Sequence, residues 1–274
     1  MKRGYNKYIA IFGLAAVLTG CTVKSSYDNN PISFSSLTYG ETYSLVNSAE
    51  EFDRRSDLLF VDSVSMLIPS MIGSTDLTPL QDSIFKVAFD STAVDHQSLI
   101  KDYFSEINKD LGFATEKSDE KINYYQADGY EVVKGTVTNL TPRLLVYCVI
   151  NESMMPLAAH GMVLRTYLNY NIDNASIISL SNIFTKEGLE ALPAIIARRA
   201  NDRVAVFGPT EVESLPHNGN FFISPAGEIV FSYQPYEIAS YAPGFIKISF
   251  YPYELITYMT PYGVRLFGLN DLAN

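Results

Sequence analysis

The chain has 274 residues, 47% of them hydrophobic and 18% charged, and its 30 acidic side chains outnumber 20 basic ones for a formal net charge of −10. There is enough apolar material for a folded core, and no long low-complexity tract interrupts it, which excludes a disordered polyelectrolyte. The acidic balance disfavours nucleic acid and anionic lipid surfaces as partners and favours basic ones.

The first residues divide into the parts of a secretory signal. Lys2, Arg3 and Lys7 make a positive start, and Tyr8 to Leu18 form an apolar run too short to span a bilayer as a helix. Leu18-Thr19-Gly20-Cys21 resembles the lipobox of bacterial lipoproteins, where small residues let the extended backbone enter a signal peptidase and the cysteine thiol takes diacylglycerol. The resemblance implies a signal peptide over residues 1–20, lipidation of Cys21, attachment to a membrane through that lipid, and a polar tether over 21–30. Removing residues 1–20 takes three basic side chains and no acidic one, which leaves a formal charge of about −13. Residues 22–26 lack an acidic cluster of the kind that exports some lipoproteins to the surface, so the expected location is the cell envelope, on the outer membrane facing the periplasm.

Folded structure is expected to begin near Pro31. Residues 32–46 and 58–68 are rich in β-branched and aromatic residues and read as strands. Two helices follow, near 76–89 and 95–110. In the second, Leu99, Ile100, Tyr103, Phe104, Ile107 and Leu111 recur at three- and four-residue spacing, with Asp95 as cap and Gly112 as terminator. Residues 121–138 and 143–153 read as strands around a turn at Asn139-Leu-Thr-Pro142. With Cys21 lipidated, Cys148 has no disulfide partner, and its place in Leu144-Leu-Val-Tyr-Cys-Val-Ile150 reads as a buried strand with an inert thiol.

A strand over 161–172 is expected next, then a helical turn in Ile178-Ser-Leu-Ser-Asn-Ile-Phe184 with Ser179 or Ser181 as cap and Leu180, Ile183 and Phe184 inward. A helix over 186–206 contains Pro193, which can shift its start or kink it. Strands near 220–224, 228–234 and 245–251 and a short helix near 252–260 complete the chain. Runs of strands separated by paired helices predict an α+β fold with a mainly antiparallel sheet, as one large domain or as two lobes over 31–155 and 156–274.

Familiar catalytic signatures are missing: there is no G-x-S-x-G elbow, no G-x-x-x-x-G-K-[ST] loop and no H-E-x-x-H pair. His96, His160 and His217 are far apart in sequence, and nothing in their spacing points to a metal or other cofactor. Enzymatic activity therefore has little positive support.

Two stretches carry more specific information. One is Ala158-Ala-His-Gly161 with Tyr167 to Phe184 after it, and the other runs from Phe221 through Tyr236-Glu-Ile-Ala-Ser-Tyr-Ala-Pro-Gly244 to Leu255. Together they resemble the RsiV-like extracytoplasmic domain, domain of unknown function 3298, which usually follows a smaller domain of unknown function 4163. The likeness is specific over 158–258 and looser over 55–150.

Without the family, Pro235 and Pro243 stiffen the 235–244 loop and Gly244 permits a positive φ. Tyr236 and Tyr241 are expected to be partly exposed there, whereas core or sheet-face packing is the default for most of the C-terminal tyrosines. His160 reads first as a turn residue bonded to backbone, and Glu237 as a carboxylate satisfying local N–H groups. The candidate ligand-binding set is His160, Pro235, Tyr236, Glu237, Tyr241, Pro243 and Gly244.

In the family's named member the domain is the outer part of an anti-sigma factor and binds lysozyme. The resemblance thus implies protein recognition, with a basic muramidase meeting an acidic surface. A lipid at Cys21 in place of a transmembrane helix sets the anti-sigma role aside. Two alternatives stay open. One is an accessory or hydrolytic module on peptidoglycan, since related domains occur beside polysaccharide deacetylases. His160 in a cleft with two carboxylates within metal-ligand reach would favour it. The other is a glycan-binding module on tyrosine platforms, drawn from 19 Tyr and no Trp, which requires a flat exposed row of rings.

Overall fold

A computed structural model describes residues 19–23, 32–46, 58–91, 95–111, 114–203 and 213–272. The N-terminal half holds strands β1 (Thr19–Val23), β2 (Ile32–Val46), β3 (Leu58–Ile72) and β4 (Thr75–Asp76), then helices α1 (Thr78–Phe89) and α2 (His96–Asp110). Strands β5 (Ala114–Ser118), β6 (Gly129–Leu140), β7 (Leu144–Met154), β8 (Met162–Asn171) and β9 (Ser176–Ile178) follow. The remainder is α3 (Leu180–Ile183), α4 (Lys186–Arg203), β10 (Phe221–Ile223), β11 (Ile229–Tyr233), β12 (Ile246–Phe250) and α5 (Pro261–Leu266). The result is an α+β fold with a large, mainly antiparallel sheet.

That sheet has the order β1-β2-β3-β6-β7-β8-β9, with β4 on β3 and β5 on β2, and β10-β11-β12 form a second sheet. Every pairing among the described residues is antiparallel except β3 with β6. The chain leaves β3 through β4, α1, α2 and β5 before it returns, and a connection of that length is what parallel neighbours require.

Strand β7 explains the layering. Leu145, Tyr147 and Val149 join the core beneath α1 and α2, whereas Leu144 and Val146 join a second core with α4 and the small sheet. A strand covered on both faces reads as a continuous apolar run rather than an alternation, which is the pattern of Leu144 to Ile150. Cys148 lies in this run, buried, and burial pushes its thiol above the ordinary range. Strands β7 and β8 flank residues 155–161 and are paired neighbours, so a single sheet runs through this region.

The helices follow their local signals. In α2, Leu99, Ile100 and Phe104 are buried, and Asp95 Oδ1 accepts from the N–H groups of Gln97 and Ser98. Gly112, the expected terminator, lies outside the described residues. Ser179 caps α3 in a capping box with Asn182, and Leu180, Ile183 and Phe184 are buried. Helix α4 starts at Lys186 and passes through Pro193, whose carbonyl accepts from Leu215 N at 3.1 Å. Residues 204–206, where it was expected to continue, are outside the described set. Strand structure before β6 is shorter than expected: β5 ends at Ser118, and Tyr124–Gln126 form a 3-10 turn. Among the described residues no helix is long and apolar enough to cross a membrane.

Side-chain amides fasten the small sheet to the large one. Asn169 on β8 donates to Phe221 O at 2.8 Å and accepts from Ile223 N at 2.9 Å. Strand β9 covers only Asn169–Asn171 of the outer edge of β8, and Gln234 takes up Arg165 on that edge. Its Nε2 donates to Arg165 O at 2.6 Å and its Oε1 accepts from Arg165 N at 3.0 Å. Gln234 is where the β11–β12 loop begins, so this bidentate contact pins the loop's first residue to the sheet.

Candidate functional site

The β7–β8 connection and the β11–β12 loop meet at one end of the large sheet and bring His160, Tyr236 and Tyr241 together. The His160 ring stacks on Tyr241 with centroids 4.0 Å apart and an interplanar angle of 19°. Its Nδ1 is 3.0 Å from Gly161 O, and its Nε2 is 3.2 Å from the Tyr236 hydroxyl. A carbonyl only accepts, so Nδ1 donates to Gly161 O, and Nε2 and the Tyr236 hydroxyl share the second hydrogen bond. The Tyr241 hydroxyl donates to the same Gly161 carbonyl at 3.0 Å. A Cβ at position 161 would lie 2.7 Å from Ser153 O, which is why glycine stands there.

The loop's turn chemistry sets how the tyrosines are displayed. Glu237 N donates to Gln234 O at 3.1 Å, with Pro235 and Tyr236 at the central positions and Tyr236 at φ 68°. This is the type II pattern, which favours glycine at the second central position, so Tyr236 holds strained backbone and presents its ring to solvent at 56% exposure. Glu237 Oε2 accepts from Gln234 N at 2.7 Å, the local backbone role read from the sequence, and Oε1 accepts from Asn218. Pro235 is buried, Pro243 is exposed, and Gly244 has φ 68° as the loop requires. Tyr241 is half-buried.

Three further tyrosines join this surface, and sequence reasoning missed them because 121–138 read as one strand. Tyr124 packs on Tyr125 at 4.0 Å and edge-on to Tyr130 at 5.2 Å. The Tyr130 hydroxyl would lie 3.2 Å from a Cβ at Gly161, which places the trio directly beside His160 and Tyr241. Lys134 Nζ donates to Tyr124 at 2.6 Å and to Glu152 at 2.9 Å, and sits 4.8 Å from the centre of the Tyr124 ring. Burial pushes the Tyr124 hydroxyl up to about 12, against the pull of Lys134. The available signal was Asn123-Tyr-Tyr-Gln126, a capping-box spacing: Asn123 accepts from Tyr125 N, and Gln126 accepts from Asn123 N.

The whole forms an aromatic surface with exposed rings at Tyr125 (70%) and Tyr236, flanked by exposed Met155 and Leu157. The partners of the His160 nitrogens are a carbonyl and a phenol, not carboxylates. His96 is elsewhere, stacked on Phe85 at 4.0 Å. Among the described residues no group of three or more His, Cys, Asp or Glu is placed to hold a metal. The arrangement can stack, hydrogen-bond and bury apolar area, which is the chemistry of recognition. The Cys21 side chain and residues 1–18 lie outside the described residues, as does most of the expected tether, of which strand β1 includes Cys21 to Val23.

Residues 181–254, which include the Tyr236–Tyr241 loop, match the family described as Protein of unknown function (DUF3298). A crystal structure of a DUF3298 family member from Bacteroides fragilis is similar, with a TM-score of 0.65 and 20% identity over 86% of this chain and 96% of that one. A DUF3298 family protein from Pseudomonas aeruginosa has a TM-score of 0.54 and 16% identity over the same shares. At these identities the likeness is one of fold. No curated protein matches the chain.

Proposed function

We propose that this chain is a lipid-anchored binding module of the bacterial cell envelope, related to RsiV-like extracytoplasmic domains, that captures a basic envelope protein of lysozyme type on its aromatic end. The observation that carries the reading is the aromatic cluster of His160, Tyr236 and Tyr241 with Tyr124, Tyr125 and Tyr130, in which His160, Tyr236 and Tyr125 are exposed and the other three rings half-buried behind them. Tyrosine rings with little freedom to lose are what protein-binding hot spots are made of. A formal charge of about −13 after removal of residues 1–20 supports attraction of a basic partner.

Titration with a c-type lysozyme at low and high salt tests this. The expected result is a complex that weakens with salt and that Tyr236→Ala weakens by roughly thirtyfold, the effect of a hot-spot truncation of about 2 kcal/mol. Absence of a complex at low salt would refute lysozyme as ligand. The exposed rings of Tyr125 and Tyr236 favour a second reading, a peptidoglycan-directed module, and sedimentation with purified peptidoglycan distinguishes it through the same variant.

A further inference from the structure

A cavity of about 670 Å³ opens at the opposite end of the large sheet, between the β6–β7 turn, the β10–β11 turn and the segment after α5. Leu144, at the start of β7, lines it, whereas the aromatic surface begins past Met154 at the other end of that strand, roughly 33 Å away at the rise of an extended chain. The volume falls within the range of small-molecule sites, about 300–1,000 Å³. It is independent of the recognition surface.

The wall is apolar, formed by Leu144, Ile223, Leu266, Phe267 and Leu269 with three prolines around them. Three of the polar side chains of the wall, Asn139, Thr141 and Ser224, are engaged inside the protein. Thr141 Oγ1 accepts from Arg143 N at 3.3 Å and from Leu144 N at 3.0 Å. Ser224 Oγ accepts from Glu228 N at 3.1 Å, and Asn139 Nδ2 donates to Ile223 O at 3.0 Å. A sugar, which carries hydroxyls around its whole outline, would find few partners against the apolar part of this wall.

Arg143 supplies what the wall lacks. Among the described residues it is the only charged one lining the cavity, its side chain is 76% exposed, and its Nε forms an ion pair with Asp173 Oδ2 at 3.1 Å. That contact leaves the two Nη groups, the fork that grips a carboxylate. Tyr253, 56% exposed, also lines the cavity, with its ring parallel to Tyr251. We propose that this cavity binds an amphiphilic carboxylate of fatty-acid type, with the apolar chain against Phe267 and Leu269 and the carboxylate on Arg143.

Calorimetric titration of the protein with decanoate and with decanol tests the proposal, with thermal unfolding of each variant as the check on folding. Decanoate is expected to bind saturably, one per chain. Arg143→Gln should weaken decanoate about tenfold or more while changing decanol less than about threefold, since only the acid loses a charge-assisted bond. Asp173→Asn removes the carboxylate that competes for Arg143, so decanoate should bind more tightly. Ala226→Trp, which places an indole against the cavity from the β10–β11 turn, should weaken both. The proposal is overturned if the parent protein shows no saturable decanoate binding, if Arg143→Gln weakens acid and alcohol equally, or if Asp173→Asn weakens the acid.

Discussion

Asp62 is the middle member of a row of three carboxylates that lie opposite one another on adjacent strands, and replacing it by asparagine probes how α2 is held on the sheet. Glu41 on β2 faces Asp62 on β3, and Asp62 faces Glu131 on β6. Asp62 is fully buried and its Oδ2 accepts from Asn108 Nδ2 of α2 at 2.8 Å. Tyr103, also on α2, donates to Glu131 at 3.2 Å, whereas Glu41 is paired with Lys117 of β5 and bonded by Tyr43. Burial, reinforced by the neighbouring carboxylates, pushes Asp62 up from 3.8 to about 7, and burial pushes Glu131 up from 4.5 to about 7. Asp62 Oδ1 and Asn108 Oδ1 are buried without a partner. A single proton on Asp62 Oδ1 would serve both, closing an acid–amide pair.

The sign follows from which state holds the proton. Between about pH 4 and 7 native Asp62 keeps a proton that the unfolded chain releases, so stability falls as pH rises and levels off above 7. Each such group contributes at most about 1.36 kcal/mol per pH unit, which for Asp62 gives a ceiling on the order of 4 kcal/mol. In the Asp62→Asn variant the amide would mimic the protonated acid, donating to Asn108 Oδ1 without titrating. Urea unfolding followed by circular dichroism at about pH 5, 6, 7 and 8 should show the parent losing about 1–2 kcal/mol per pH unit up to 7, and Asp62→Asn losing roughly half of that because Glu131 remains. The variant should match the parent at about pH 5 within about 1 kcal/mol and exceed it at about pH 8. His96, whose pKa burial lowers, works in the opposite sense below 6.5 and cancels in the comparison. Equal slopes for parent and variant would refute the reasoning.

Tyr236 at φ 68° is strained backbone that glycine adopts freely. Tyr236→Gly should therefore be about 1 kcal/mol more stable to urea than Tyr236→Ala, while both lose ligand equally; an alanine variant as stable as the glycine one would remove the strain from the account. Asn169→Leu deprives Phe221 O and Ile223 N of their shared partner at a buried position and should cost about 2–4 kcal/mol in chemical denaturation; a loss under about 1 kcal/mol would mean that apolar packing alone fastens the two sheets.

Sequence alone determined the features whose partners are close along the chain. The 3.6-residue spacing of Leu99 to Leu111, the Asp95 cap, the Ser179 turn and the two-faced apolar run of β7 are each written within one element, because periodicity and capping depend on neighbours a few residues away. The Pro235 to Gly244 loop was legible for the same reason, as was Glu237 bonding its own backbone. Its positive φ at Tyr236 was not, since no residue preference announces a tyrosine where a turn asks for glycine. Only tertiary structure set Tyr130 beside His160, Arg143 at the mouth of a cavity, and Asp62 next to Glu131. The last depends on a parallel pairing of strands separated by two helices, and strand register is decided by which faces can be buried together, a property of the whole sheet rather than of either strand.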